Sequence, residues 1–146
     1  ARSWIIRPHA AWAGWDWTAE AEALHGLSRA RIEAEGEPAD VVLAQLAAAV
    51  AGCRVVADSV IDQYWLQTLA DTESVVAPFA IDHVSLLLDE WGADEPRIAA
   101  AMAHADALHS ARHRAVADAL WLSGLIEALS GAVQPRQADP VIARVA

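Results

Sequence analysis

The sequence predicts an all-α protein: a single-domain helical bundle of four to five helices with an irregular, tryptophan-rich N-terminal arm. Hydrophobic residues make up 55% of the chain, and many of them are alanine, the strongest helix former. Apolar residues recur at spacings of three and four, which is typical of helices that pack in a bundle. No stretch alternates apolar and polar residues as a strand would, and 146 residues is the usual size of one domain.

Three regions are expected within the single domain of residues 1–146: an N-terminal arm (1–17), a helical bundle (18–133) and a C-terminal tail (134–146). The arm has no regular period and contains four of the seven tryptophans: Trp4, Trp12, Trp15 and Trp17. Their rings either cover a hydrophobic groove of the same domain or bind a partner chain. Both interpretations remain open, because partly exposed aromatic residues often carry the binding energy of interfaces.

Helix boundaries follow from capping residues, glycines and prolines. The predicted helices span residues 18–36, 38–64, 79–91 and 96–131, the last with a kink at Gly124. On the second helix Cys53 lies in the apolar seam, which predicts a buried cysteine. Asp58 and Asp62 fall on its opposite, solvated face, where charged side chains are usual.

Charge limits the classes of partner. The formal net charge is −10, and the ten basic residues are all arginine. An acidic chain without a basic patch is not expected to bind nucleic acid or an anionic membrane surface. No apolar stretch is long enough to span a membrane and the N-terminus does not resemble a signal peptide, which predicts a cytoplasmic protein. A basic partner protein would suit this charge.

A pair of histidines is the strongest sign of chemistry. On a helical wheel, His109 lies in the middle of the apolar stripe of the last helix, His113 at its edge and Asp106 just beyond, whereas His104 points away. Residues four apart share one helix face, so two imidazoles can bind the same metal ion. Asp106, with His25 or His83 from another helix, could complete a divalent metal site. A pair of hydrogen-bonded core histidines is the structural alternative.

The stretch from His109 through Arg114 resembles the HxxxHR signature of the DinB-like metal-binding bundles. The resemblance covers less than a fifth of the chain. It implies a divalent metal bound by His109, His113 and a histidine of an earlier helix, together with thiol-dependent transfer chemistry. Ala115 and Val116 stand where those proteins have a glycine–glutamine pair, and the earlier histidine has no clear counterpart.

Three hypotheses about function follow. The first is a non-catalytic interaction protein, an accessory subunit or a homo-oligomer, that uses its tryptophans and apolar surfaces; we favour it because no complete catalytic motif is found. The second is a metal-binding protein or enzyme built on His109 and His113. The third is a bundle that binds a small apolar ligand in a pocket.

Overall fold

The computed structural model describes residues 2–110 and 114–131, and this part of the chain is mostly helical. A short 3-10 turn, Ala10–Trp12, precedes the first α-helix. The α-helices and strands that follow are α1 (Ala19–His25), α2 (Arg29–Glu35), α3 (Ala39–Ala49), β1 (Val55–Ala57), α4 (Ile61–Asp71), β2 (Ile81–His83), α5 (Val84–Glu90), α6 (Glu95–Leu108) and α7 (Ala115–Gly131).

A two-stranded parallel sheet corrects the all-α prediction. Strand β1 pairs with β2, with Val55 opposite Ile81 and Ala57 opposite His83, and α4 lies in the connection between them. Parallel strands need such a crossover, usually a helix. Each strand has three residues, too few for periods of 2 and 3.6 to be told apart in the sequence. The chain is therefore mainly helical, and a bundle of four to five helices is not confirmed.

The predicted first helix is two helices. Gly26 ends α1 with a φ of 61°, a left-handed conformation that glycine adopts at little cost. Ser28 then caps α2 by accepting a hydrogen bond from the backbone N–H of Arg31. The expected N-cap of α1 is confirmed, since Thr18 accepts from Ala21 N.

The predicted second and last helices are also interrupted. Helix α3 ends at Ala49, and the chain turns through Gly52 (φ 74°) into β1, so Cys53 is exposed rather than buried. Helix α6 ends at Leu108, because His109 leaves the helical region with φ −136° and ψ 73°. The break lets α7 pack against α6, with Ala105 and Leu125 buried in one core. The helical wheel assumed one continuous helix over residues 96–131, and the break at His109 corrects that assumption.

Two hydrophobic cores hold the described part together. The first lies around α6 and α7 and is formed by Val84, Ala101, Ala105, Trp121, Leu122, Leu125 and Leu129. The second lies around α3 and α4 and is formed by Ala39, Val42, Leu43, Leu66, Leu69 and Ala70. The N-terminal arm packs on the second core through Trp4, Ile6 and Trp12, and Ile6 forms a parallel β-bridge with Glu37.

Two expectations concern the ends of the chain and the membrane. The C-terminal tail of residues 134–146 lies outside the described residues. Within residues 2–110 and 114–131, none of the helices combines the length and the apolar character that a membrane crossing requires.

We expect Leu129→Ala to lower the free energy of unfolding by about 2–5 kcal/mol, because Leu129 is only 1% exposed and its truncation leaves a cavity in the first core. Leu108→Ala is the matched control, since Leu108 is 57% exposed and its loss should cost less than about 0.5 kcal/mol. Urea denaturation followed by circular dichroism measures both. Equal losses for the two variants would contradict the assignment of the core.

Candidate functional site

An acidic cavity lies where β1 ends. Asp58 follows β1 directly, Asp62 is in the first turn of α4, and Asp118 is in the first turn of α7. All three line one cavity of about 730 Å³. In open sheets with parallel strands, ligands bind in the crevice beyond the carboxyl ends of the strands, which is where this cavity lies.

Electrostatic repulsion is present in this acidic cavity. The pKa of Asp62 is raised, first by partial burial and then by the charges of Asp58 and Asp118. Burial disfavours the ionised form of a carboxyl group, and so does a neighbouring negative charge. The three side chains therefore lie close enough to interact, and a cation placed among them would relieve the repulsion.

The remaining lining of the acidic cavity is mostly apolar. His25, at the end of α1, and Ser59 are its other polar residues. The rest are Val56, Ala57, Ile61, Ala115, Ala119 and Leu122. Among the described residues that line the cavity there is no arginine or lysine.

His83 supports the cavity without lining it. Its Nδ1 lies 2.8 Å from Ser85 Oγ and accepts from the backbone N–H of Ser85 at the start of α5. Its Nε2 lies 3.3 Å from the backbone carbonyl oxygen of Asp58. His83 thus caps α5 and contacts the chain where β1 ends, while its role as a metal ligand stays a prediction.

The predicted histidine site is only partly described. His109 ends α6 and is half-buried, close to Gly124, while Asp106 accepts a 2.7 Å hydrogen bond from Trp121 Nε1. His104 is exposed, as the wheel predicts, and His113 lies outside the described residues. In residues 2–110 and 114–131, no three His, Cys, Asp or Glu side chains are grouped closely enough to form a ready-made metal site. A metal site built on His109 and His113 therefore remains a prediction.

The four tryptophans of the arm have different environments. Trp4 and Trp12 pack on the second core, and Trp4 Nε1 donates a 2.8 Å hydrogen bond to Gln45. Trp15 is 48% exposed, whereas Trp17 is half-buried. The arm thus covers its own domain with two rings, as one of the two interpretations expects, and leaves Trp15 on the surface.

An exposed aromatic row extends from the arm to α4. The ring of Trp15 stacks on Trp12 and meets the edge of Trp65, each with centroids 5.9 Å apart. Tyr64 continues the row from Trp65 at 5.0 Å. Tyr64 and Trp65 are 57% and 47% exposed. No local signal in the sequence joined Tyr64 and Trp65 to the arm.

A second cavity, the aromatic cavity, has a volume of about 700 Å³ and lies between the arm, α1 and α2. Its apolar lining includes Trp12, Trp15 and Trp17. His25 borders this cavity as well as the acidic one. The two cavities are therefore neighbours at the end of α1.

No protein-family model, curated protein or solved structure matches the chain. The functional interpretation accordingly depends on the geometry of the two cavities and the aromatic row.

We expect Asp62→Asn to raise the melting temperature at pH 7 without added metal, because it removes a carboxylate that its neighbours and partial burial disfavour. Partly exposed charges interact by less than about 1 kcal/mol, so the rise should not exceed about 4 °C. The folded-state pKa of Asp62 is raised above its ordinary value of 3.8. The increase in melting temperature of Asp62→Asn over the wild type should thus be complete above the raised pKa. It should disappear as pH falls through 3.8, because the Asp62 carboxyl of the wild type is then protonated in both the folded and the unfolded state.

Thermal unfolding between pH 3 and pH 8 measures this dependence. Asp40→Asn is the control, because Asp40 is exposed in the first turn of α3 and does not line the cavity. A destabilised Asp62→Asn at pH 7 would show that its neighbours do not repel Asp62.

Proposed function

We propose that the acidic cavity binds a divalent cation, Mg²⁺ or Mn²⁺, and supports the hydrolysis of a phosphate ester. The observation that carries this proposal is the convergence of Asp58, Asp62 and Asp118 from three different elements on one cavity. Partial burial and like charge raise the pKa of Asp62, and this cost is offset when a cation binds.

The donor atoms favour a hard cation. Carboxylates supply oxygen, which Mg²⁺ and Mn²⁺ prefer, whereas zinc and copper sites usually contain imidazole or thiolate. Mg²⁺ commonly keeps several water molecules and binds through one or two carboxylates together with a substrate phosphate. A compact set of three protein ligands is therefore not required, which agrees with the spacing of side chains in the described part.

Phosphate chemistry follows from the charge of the cavity. Asp58, Asp62 and Asp118 would hold the ion, which would offset their repulsion of an anionic substrate and would supply an activated water molecule for attack on phosphorus. Without an arginine or lysine in the described lining, a singly charged phosphodiester is favoured over a doubly charged monoester. His25, exposed at the edge of the cavity, is placed to exchange a proton with the substrate.

We expect wild-type protein to bind Mn²⁺ at a single site and to hydrolyse bis(p-nitrophenyl) phosphate faster than p-nitrophenyl phosphate. Asp62→Asn and Asp118→Asn should each weaken Mn²⁺ binding at least tenfold, because one negatively charged ligand is lost. Calorimetric titration with Mn²⁺ measures the affinity, and release of p-nitrophenol measures hydrolysis. A short single-stranded oligonucleotide tests whether a polymeric diester is also cleaved.

Two control variants separate the alternatives. Asp40→Asn also removes a carboxylate from the first turn of a helix, but from one outside the cavity, and should leave Mn²⁺ affinity unchanged. His109→Ala should likewise have no effect on Mn²⁺ binding, whereas a site built on His109 and His113 would lose its metal. Mn²⁺ affinity that is insensitive to both Asp62→Asn and Asp118→Asn would refute the acidic site.

The exposed aromatic row supports a second proposed function, that of an interaction protein. Trp15, Tyr64 and Trp65 form a continuous surface, and Val60 and Ile61 at the start of α4 are 78% and 49% exposed. Adjacent exposed apolar side chains of this size commonly mark a protein contact. The proposal is that this surface mediates association, as a homo-oligomer or with a partner protein.

We expect the protein to self-associate in sedimentation velocity experiments, and Trp65→Gln to shift it toward the monomer by at least tenfold in dissociation constant. Trp91→Gln is a control of the same chemistry, because Trp91 packs on the first core, away from the row. A monomeric wild-type protein at concentrations up to 1 mM would exclude the homo-oligomer.

A further inference from the structure

We propose that the aromatic cavity is a binding site for a small planar organic acid, that is, an aromatic ring bearing a carboxylate. This site is separate from the three aspartates, and the inference does not depend on metal binding or phosphate hydrolysis. It rests on the shape of the lining, on unpaired hydrogen-bond donors and on the charges around them.

The lining suits a flat apolar ring. Three indole rings and the side chains of Ile6 and Ile32 form most of its apolar surface. Trp12 and Trp15 stack face to face with their planes 24° apart, and both residues line the cavity. Aromatic rings pack favourably against such faces in offset or edge-to-face arrangements, and about 700 Å³ is within the usual range for small-molecule sites.

Two side chains offer unpaired donors at this cavity. Trp17 Nε1 is buried and has no hydrogen-bond partner among the described residues. A buried donor without an acceptor is costly, and a ligand oxygen that reaches it removes the cost. The guanidinium of Arg7 forms no ion pair with any described residue, although the Arg7 backbone N–H donates to Glu37.

A third donor comes from His9. Its Nδ1 accepts a 3.2 Å hydrogen bond from the backbone N–H of Ala11, which places the proton of the neutral ring on Nε2. Three residues of the lining, Arg7, His9 and Trp17, thus carry N–H donors on their side chains. A carboxylate, with two oxygens that only accept, matches these donors better than a neutral or cationic group does.

The acidic residues of the lining do not cancel this preference. Glu33 is occupied by Arg29, with Oε1 and Nε 2.9 Å apart. Asp16 is the other carboxylate of the cavity, and it is exposed to solvent. Water screens its repulsion, and its effect on the ligand can be measured directly by substitution.

The experiment compares 1-naphthoate with 1-naphthamide, a neutral analogue of the same shape, by calorimetric titration of the full chain. Wild-type protein should bind 1-naphthoate at least tenfold more tightly than the amide. Arg7→Gln should reduce this ratio of affinities to near one, because it should weaken the binding of 1-naphthoate and leave the binding of 1-naphthamide unchanged. Trp17→Phe keeps an aromatic ring but lacks the N–H, and it should weaken the binding of 1-naphthoate several-fold. Asp16→Asn should strengthen the binding of 1-naphthoate.

Arg31→Gln is the matched control, because Arg31 is an exposed arginine of α2 that pairs with Glu35 outside the cavity. It should leave both affinities unchanged. The proposal would be overturned if the wild-type protein bound the acid and the amide equally well, or if it did not bind 1-naphthoate at 1 mM. It would also be overturned if Arg31→Gln and Arg7→Gln lost the same affinity for 1-naphthoate. If Arg7→Gln fails to fold, as judged by circular dichroism, the acid-to-amide ratio of the wild type and of Asp16→Asn decides the matter.

Mn²⁺ titration of the same variants keeps the two sites distinguishable. Arg7→Gln and Trp17→Phe alter residues that do not line the acidic cavity, so Mn²⁺ affinity should not change. Loss of 1-naphthoate binding with Mn²⁺ binding retained assigns the effect to the aromatic cavity.

Discussion

The pairing of β1 with β2 is the constraint on which the acidic cavity depends. Three residues on each strand form the sheet, and so small a sheet is only marginally stable by itself. Side chains supplement it at both ends. Arg54 Nε and Nη1 lie 2.8 and 2.6 Å from the carboxylates of Asp82 and Glu90, while Gln63 Oε1 accepts from the Ile81 backbone N–H at 2.7 Å. Together with His83 on the Asp58 carbonyl, these contacts set where β1 ends and α4 begins.

The break between α6 and α7 is the second requirement, because it supplies the third aspartate. If residues 96–131 formed one continuous helix, Asp118 would lie far from Asp106 along the helix axis. Instead α7 packs back on α6, and Gly124 lies at this contact, where an added β-carbon would be at the ordinary van der Waals distance of 3.7 Å from Ala105. Leu122 joins the first core and lines the acidic cavity as well, which couples the packing of α7 to the position of Asp118.

Local signals in the sequence predicted the N-cap of α1 correctly, since Thr18 acts through the backbone N–H of Ala21, three residues away. These local signals failed where pairing with a segment distant in the sequence determines the secondary structure. Val55 and Val56 fit a helical seam as well as a strand, and only β2, some 25 residues later, selects the strand. Once that stretch was read as a helix, Asp58 and Asp62 were assigned to its solvated face. Their proximity to Asp118 depends on tertiary structure, which no local spacing encodes.

The acidic cavity holds an electrostatically unfavourable carboxylate. The chain carries a formal charge of −10, and the pKa of Asp62 is raised, first by partial burial and then by the charges of Asp58 and Asp118. Natural sequences usually retain such local conflicts where function requires them. In the proposed function, a divalent cation bound among these carboxylates would offset this unfavourable charge. Arg54, by contrast, forms its ion pairs with Asp82 of β2 and Glu90 of α5.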